Sequence, residues 1–275
     1  MRIVTCVMLL LGCVAWAFGQ AAPTSTPTTL PSPRPVAASP AGVPPQVAAV
    51  WKQLEPRRAE AVRLARAIEK GQLDVARRNY GELMDLTRKF NELLAPLAEA
   101  SPLRYGQAAP RNGFGRGMWL YKASRDIERY NVANKSEMSA EEFEVLVKVN
   151  EYREALGLLP LEWDSRLGDS ARGHSRWMAD TKEFSHDSSL PGLKTHGQRM
   201  EKAGYKWTSA GENIAYGTGE LNTAAAMFKG WFDSPGHHRT MVGDYTHIGV
   251  GHVDVYWTQN FGTGEPAKAI ARGKR

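Results

Sequence analysis

Apolar residues recur at helical spacing from residue 46 onward. Val47, Val50, Trp51 and Leu54 fall at i, i+3, i+4 and i+7, one face of a helix. Pro56 is expected to interrupt the pattern; Val62, Ala65 and Ile68 resume it, and Gly71 breaks it. Ala76, Tyr80, Leu83 and Met84 restart the stripe, and Phe90, Leu93, Leu94 and Leu97 extend it. The spacing predicts two long amphipathic helices joined at Gly71, an αα-hairpin. Residues 101–135, with Gly113, Gly115 and Gly117, read as a connector holding a short helix near Ser124 to Tyr130.

From Ser139 the signals sharpen. Ser139-Ala-Glu-Glu142 is a capping box ahead of Phe143, Leu146 and Val147, and that helix is expected to end at Gly157. Asp164 can cap a second helix, whose Leu167, Ala171, His174 and Met178 share a face. Thr195-His-Gly-Gln198 is another capping box, with Gly204 as the stop. A further helix is expected from Thr223 through Met227 and Trp231, and Ser234-Pro-Gly-His237 reads as a fresh helix start with Pro at the first position. The stretch "IGVGHVDVYWTQNFG" alternates and is rich in Val, aromatics and Thr, so it predicts strands turning near Val253-Asp254. Helices around a small antiparallel sheet make the fold class α+β, an αβα sandwich preceded by the helical hairpin.

The N-terminus changes the picture of compartment. Met1-Arg2, an apolar run from Ile3 to Leu11 and small residues at Ala17 and Gly19 form the pattern of a secretory signal peptide over 1–19. Leu10-Leu-Gly-Cys13 offers lipid anchoring as a weaker variant. Residues 20–45 are rich in Pro, Thr, Ser and Ala and read as a disordered tether. The domain plan is therefore signal 1–19, linker 20–45, helical segment and connector 46–136, and C-terminal domain 139–265. The only two cysteines, Cys6 and Cys13, lie in the signal, so a mature chain would have neither disulfides nor thiolate ligands. No second stretch is apolar enough to span a membrane. Residues 46–136 carry 17 Lys/Arg against 10 Asp/Glu, whereas 137–275 carry 16 against 19. The basic excess thus belongs to the helical segment, which makes an anionic envelope polymer a candidate partner; nucleic acid is not expected for an exported chain.

Three polar clusters stand out in the C-terminal domain: "FSH" ending at His186, "AGENIAYG" with Glu212 and Asn213, and "WFDSPGHHRTMV" with His237 and His238. Each is expected at a loop or helix start, where site residues collect. The stretches "LVKVNEYREALGLLPLEWDSRL", "ARGHSRWMADTKEFSH", "AGENIAYG", "WFDSPGHHR" and "HIGVGHVDVYWTQNFG", in that order, resemble the CAP superfamily of cysteine-rich secretory, antigen 5 and pathogenesis-related 1 proteins, in its bacterial SCP-like form. The resemblance covers about 125 residues, roughly Ser139 to Gly262. It implies an αβα sandwich with a central cleft lined by His186, Glu212 and His237. It makes His237 the cleft histidine and leaves His238 as an extra residue, expected at the surface. Eukaryotic members place two His and two Glu in that cleft; here Tyr256 stands at the second His position, and Asp233 is the nearest substitute for the second Glu. Some members are associated with lipids, sterols or cell-envelope partners.

Two imidazoles and a carboxylate are also the ligand set of an open zinc site, so a divalent cation is a candidate cofactor on His186, His237 and Glu212. The alternative is a hydrogen-bonded cleft in which the glutamate orients a histidine. No GxSxG elbow supports a serine hydrolase. His174 reads as a core or cleft-wall histidine, His196 as exposed, and Trp231, Tyr256 and Trp257 as core. The leading expectation is an exported binding or interaction module whose cleft takes a divalent cation or a small apolar ligand. The alternative is a metal-assisted hydrolase acting on an envelope or extracellular substrate. A third view makes the helical segment the functional part and the C-terminal domain its scaffold.

Overall fold

A computed structural model describes residues 43–66, 70–101, 110 and 113–266. The signal-like segment, most of the linker, the lipid-anchor variant at Cys13 and Ile68 lie outside the described residues. Among the described residues no helix is long and apolar enough to cross a membrane.

Two helices open the described chain, α1 (Pro45–Ala65) and α2 (Lys70–Ala100), and they pack along each other. Pro56 does not interrupt α1, because residues on both sides of it are held by burial: Val50, Trp51 and Leu54 before, Ala61, Leu64 and Ala65 after. The helix tolerates the missing N–H because both halves are anchored in one core. The break also falls earlier than Gly71, which lies in the first turn of α2.

The expected connector is largely a third helix, α3 (Gly113–Ala133), which buries Met118, Trp119, Leu120, Ala123 and Ile127. Its glycines are packing residues as well as loop signals. A Cβ on Gly117 would sit 2.5 Å from Cζ3 of Trp51, so only glycine lets α3 approach α1 here.

The C-terminal domain is an αβα sandwich. Its four-stranded sheet comprises β1 (Glu162–Trp163), β2 (Trp207–Tyr216), β3 (His247–Val253) and β4 (Tyr256–Gly264), in the order β1-β3-β4-β2. β3 and β4 form the expected hairpin, turning at Asp254 with φ 58°. One face carries α5 (Ser165–Thr181) and α6 (His196–Lys202); the other carries α4 (Ala140–Ala155), α7 (Ala224–Asp233) and α8 (Pro235–Met241). The capping signals act as read: Ser139 and Thr195 make complete capping boxes, Asp164 caps α5 and Thr223 caps α7. α4 stops before Gly157, at φ 73°. α5 lies unusually close on β3. A Cβ on Gly249 would be 2.1 Å from the backbone of Leu167 and Gly168, and one on Gly251 would be 2.2 Å from the backbone N of Arg172.

A continuous core joins the helical segment to this sandwich, running from Val50, Leu54 and Phe90 to Val149, Trp231 and Trp257. Buried Arg58 fixes the junction. Its Nε donates to Ala155 O and its Nη2 to Glu154 O, both at 3.1 Å, capping the carbonyl end of α4. Burial lowers its pKa to about 10, so it stays charged near neutrality. Arg153, equally buried, donates to the carbonyls of Met241 and Gly243 and so ties α4 to the end of α8.

Arg58→Ala is expected to lower the free energy of unfolding by about 3 kcal/mol, because it strands the α4 carbonyls and opens a cavity. Urea denaturation checks this; a loss within about 0.5 kcal/mol, the size of an ordinary surface substitution, would show that the contact is incidental.

Candidate functional site

Glu212 is the centre of the site. It lies in β2, on the α5 face of the sheet and directly opposite Asn260 of β4. The "AGENIAYG" cluster is thus part of a strand and not a loop. The residue is 8% exposed overall, and its carboxylate is surrounded by partners. His186, in the segment after α5, donates from Nδ1 to Oε1 at 3.0 Å. Arg199 of α6 donates from Nη2 to Oε2 at 2.7 Å, and also to the carbonyl of His186 at 3.0 Å. The Asn260 amide, with its nitrogen toward Oε2 (3.2 Å) and its oxygen accepting from Ser170 Oγ (3.0 Å), completes the set. His174 Nε2 lies 3.8 Å from Oε1. Burial by itself raises the Glu212 pKa. His174, the hydrogen bond from His186 and the charge of Arg199 outweigh it and bring the group to about 2. Near neutrality Arg199 is the permanent countercharge.

His174 forms the floor. It is fully buried in α5, stacked on Trp177 with ring centroids 5.4 Å apart, and its Nε2 lies 2.9 Å from Ser185 O. A carbonyl only accepts, so Nε2 carries the proton. Burial lowers its pKa to about 4, which keeps it neutral at pH 7.

His237 arrives from the other helical layer. Asn213, whose side chain leaves β2 on the face opposite Glu212, donates from Nδ2 to the carbonyl of His237 at 3.1 Å and to Gln259 Oε1 at 3.0 Å. The Glu-Asn pair therefore grips both layers across an edge strand: Glu212 holds the α5/α6 side, Asn213 the α8 side. Burial, and then the charge of nearby His186, lower the His237 pKa to about 4. His186 thus meets Glu212 on one face of β2, and the backbone of His237 meets Asn213 on the other.

The adjacent histidine has a different task. His238 is fully buried and not at the surface as the sequence suggested. Its Nδ1 lies 2.7 Å from Phe232 O and its Nε2 2.7 Å from Tyr152 OH. The carbonyl fixes Nδ1 as the donor, so Tyr152 donates to Nε2. His238 locks the α7–α8 corner onto α4, an inward turn that residue type alone does not signal. His196, expected to be exposed, is half-buried, and its pKa is lowered by burial within the fields of Glu212, Arg199 and His186.

The two remaining candidates, Asp233 and Tyr256, have neighbours of their own. Asp233 ends α7 and pairs with Lys229 one turn earlier. Tyr256 shares the Glu212 face of the sheet but begins β4, four residues and so about 13 Å along the strand from Asn260. It packs there with Tyr216 and Phe184. Sequence reasoning missed Arg199 and Asn260. Nothing in "GQRMEK" marks Arg199 as the buried cation; only its proximity to Met200 on the inner face of α6 hints at burial.

Residues 146–261 match the CAP family model, described as the cysteine-rich secretory protein family. Over 129 residues, 46% of this chain, it is 39% identical to the uncharacterized membrane protein YlbC of Bacillus subtilis, covering 36% of that protein. Over 145 residues, 51% of this chain, it is 37% identical to the uncharacterized protein YkwD of the same organism, covering 54% of it. The chain thus spans about half or less of the curated relatives it matches. A crystal structure of an extracellular protein containing a SCP domain from Bacillus anthracis aligns with 57% of this chain and 45% of its own, at 29% identity and a TM-score of 0.40.

The buried groups set a pH dependence. His174 and His237 have folded pKa values below their ordinary 6.5, so the stability that their neutral forms contribute is present above pH 6.5 and is lost as pH falls toward 4. Glu212, depressed from 4.5 to about 2, contributes on the order of 3 kcal/mol above pH 4.5, and this is lost as pH falls toward 2. In urea unfolding followed against pH, His237→Gln is expected to flatten the upper window and Glu212→Gln the lower one; slopes identical to wild type would contradict these assignments. His238→Ala is expected to cost about 3 kcal/mol by leaving Tyr152 OH unpaired and a void beside it, read by the same denaturation.

Proposed function

We propose, for a chain whose residues 146–261 match the CAP family model, that the protein is an extracytoplasmic binding module whose cleft at Glu212, His186 and His237 receives a small ligand through hydrogen bonds. The compartment follows from the secretory pattern of residues 1–19. One observation carries the binding role: both oxygens of the Glu212 carboxylate are already engaged. Arg199 and Asn260 occupy Oε2, and His186 occupies Oε1. A carboxylate held in this way is a fixed structural charge that orients His186. With Nδ1 engaged, the Nε2 of His186 is the ring atom left to meet a ligand.

The same geometry bears on the divalent cation. The donor set fits a three-ligand zinc centre poorly, because Glu212 Oε1 would have to give up its bond from His186, Oε2 is held by Arg199, and His174 Nε2 carries a proton given to Ser185 O. Among the described residues no group of three or more His, Asp or Glu side chains is arranged to hold a metal. The hydrolase reading draws on one feature, the Glu212–His186 pair, since a carboxylate that fixes Nδ1–H leaves Nε2 as a base. An anionic polymer on the helical segment draws less support. Arg57, Arg63, Arg66, Arg88, Arg125 and Arg129 are each paired with an acidic side chain, so these six charges are already engaged.

Elemental analysis of the purified protein beside a His186→Ala/His237→Ala variant tests the choice, together with an esterase assay on p-nitrophenyl acetate. The expected result is equal metal content in the two proteins and no turnover. Stoichiometric metal that is lost with the histidines, or hydrolysis abolished by either substitution in a folded protein, would favour the hydrolase.

A further inference from the structure

A second cavity, of about 370 Å³, lies between α2, α3 and α4, where the helical segment meets the CAP domain. Its size falls within the range of small-molecule sites. Met84 of α2, Val132 of α3, and Phe143, Leu146 and Val147 of α4 give it apolar walls. It is built from different elements than the Glu212 cleft, and it exists only because α2 and α3 pack on α4.

Two adjacent residues that line this cavity carry polar atoms without a partner among the described residues. Ser124 is fully buried, and its Oγ makes no hydrogen bond among the described residues. The neighbouring Arg125 Nε is buried and likewise has no acceptor among them. The rest of that guanidinium is engaged: Nη2 meets Glu154 Oε2 at 2.6 Å and Nη1 meets Glu128 Oε2 at 3.1 Å. Buried polar groups in folded proteins are nearly always satisfied, by protein or by something bound. Two neighbouring donors in a pocket of mixed polar and apolar lining are therefore half of an arrangement whose other half is an acceptor oxygen.

The charges around the cavity restrict what brings that oxygen. Glu128, Glu151 and Glu154 line it against Arg88 and Arg125. Both arginines are already paired, Arg88 with Asp85 at 2.9 Å and Arg125 with two glutamates. The surplus of carboxylates disfavours an anion, since like charges in a partly desolvated pocket repel. We propose that this cavity binds a small neutral amphipathic molecule, an amide, ester or alcohol. Its oxygen accepts from Arg125 Nε and Ser124 Oγ, and its hydrocarbon part lies against Phe143, Leu146 and Val147. The helical segment would then complete a ligand site that the CAP domain lacks by itself.

The test is a titration of the ¹⁵N-labelled full chain with hexanamide and, separately, with hexanoate, followed by amide chemical shifts. The same six-carbon body is thus offered with a neutral and with an anionic head. Hexanamide is expected to give saturable shifts concentrated at residues 84–91, 124–132 and 143–154, with hexanoate at least ten-fold weaker. Val147→Trp, which fills the cavity, is expected to abolish the hexanamide response; Val147→Phe serves if the larger side chain prevents folding. Absence of saturable shifts in the wild-type protein, equal binding of the two probes, or unchanged binding in the filled variant would each overturn the proposal.

Discussion

An ionised carboxylate inside a protein must be paired or it does not stay ionised. Glu212 meets that requirement with Arg199, His186 and Asn260, and these partners come from a helix, a loop and a neighbouring strand. Much of the site's construction follows from this demand. Arg199 must be delivered by α6, which explains a short helix with a complete capping box at Thr195. His186 must be held by its backbone as well as its ring, and Arg199 supplies that contact too. Asn213, next in sequence, uses the alternation of a strand to reach the opposite layer and position His237.

The same logic of buried charge recurs at the other junction. Arg58 and Arg153 are buried cations whose partners are backbone carbonyls, and each fastens an element to the end of α4 or α8. The C-terminal domain and the preceding helices consequently share one core across α4. His238 belongs to this framework, whereas His237, one residue earlier, is held through its carbonyl by Asn213. Adjacent positions on a helix point about 100° apart, so identical neighbouring side chains took different roles.

Much of the architecture was legible in the sequence because its signals are local. The capping boxes at Ser139 and Thr195, the cap at Asp164, the stop at Gly157 and the β3–β4 turn are each set by a few neighbouring residues. What was illegible depends on distant contacts. β2 reads as a polar loop because Glu212 and Asn213 interrupt its apolar alternation, yet both are satisfied across the fold. α1 passes through Pro56 because packing holds both of its halves. The glycines ahead of Trp119 look like linker until Trp51 is seen lying against Gly117. At the site, the family pattern marked His186, Glu212 and His237, but no spacing rule pointed to Arg199, the guanidinium that shares Glu212 with His186.

That charge state can be observed directly. Carboxyl ¹³C resonances of glutamate-labelled protein, followed from pH 7 down to pH 4, report each glutamate separately. The account expects the Glu212 signal to stay at its carboxylate position at pH 4, where exposed glutamates are largely protonated. A Glu212 resonance that titrates together with the exposed glutamates would contradict the paired carboxylate on which the site rests.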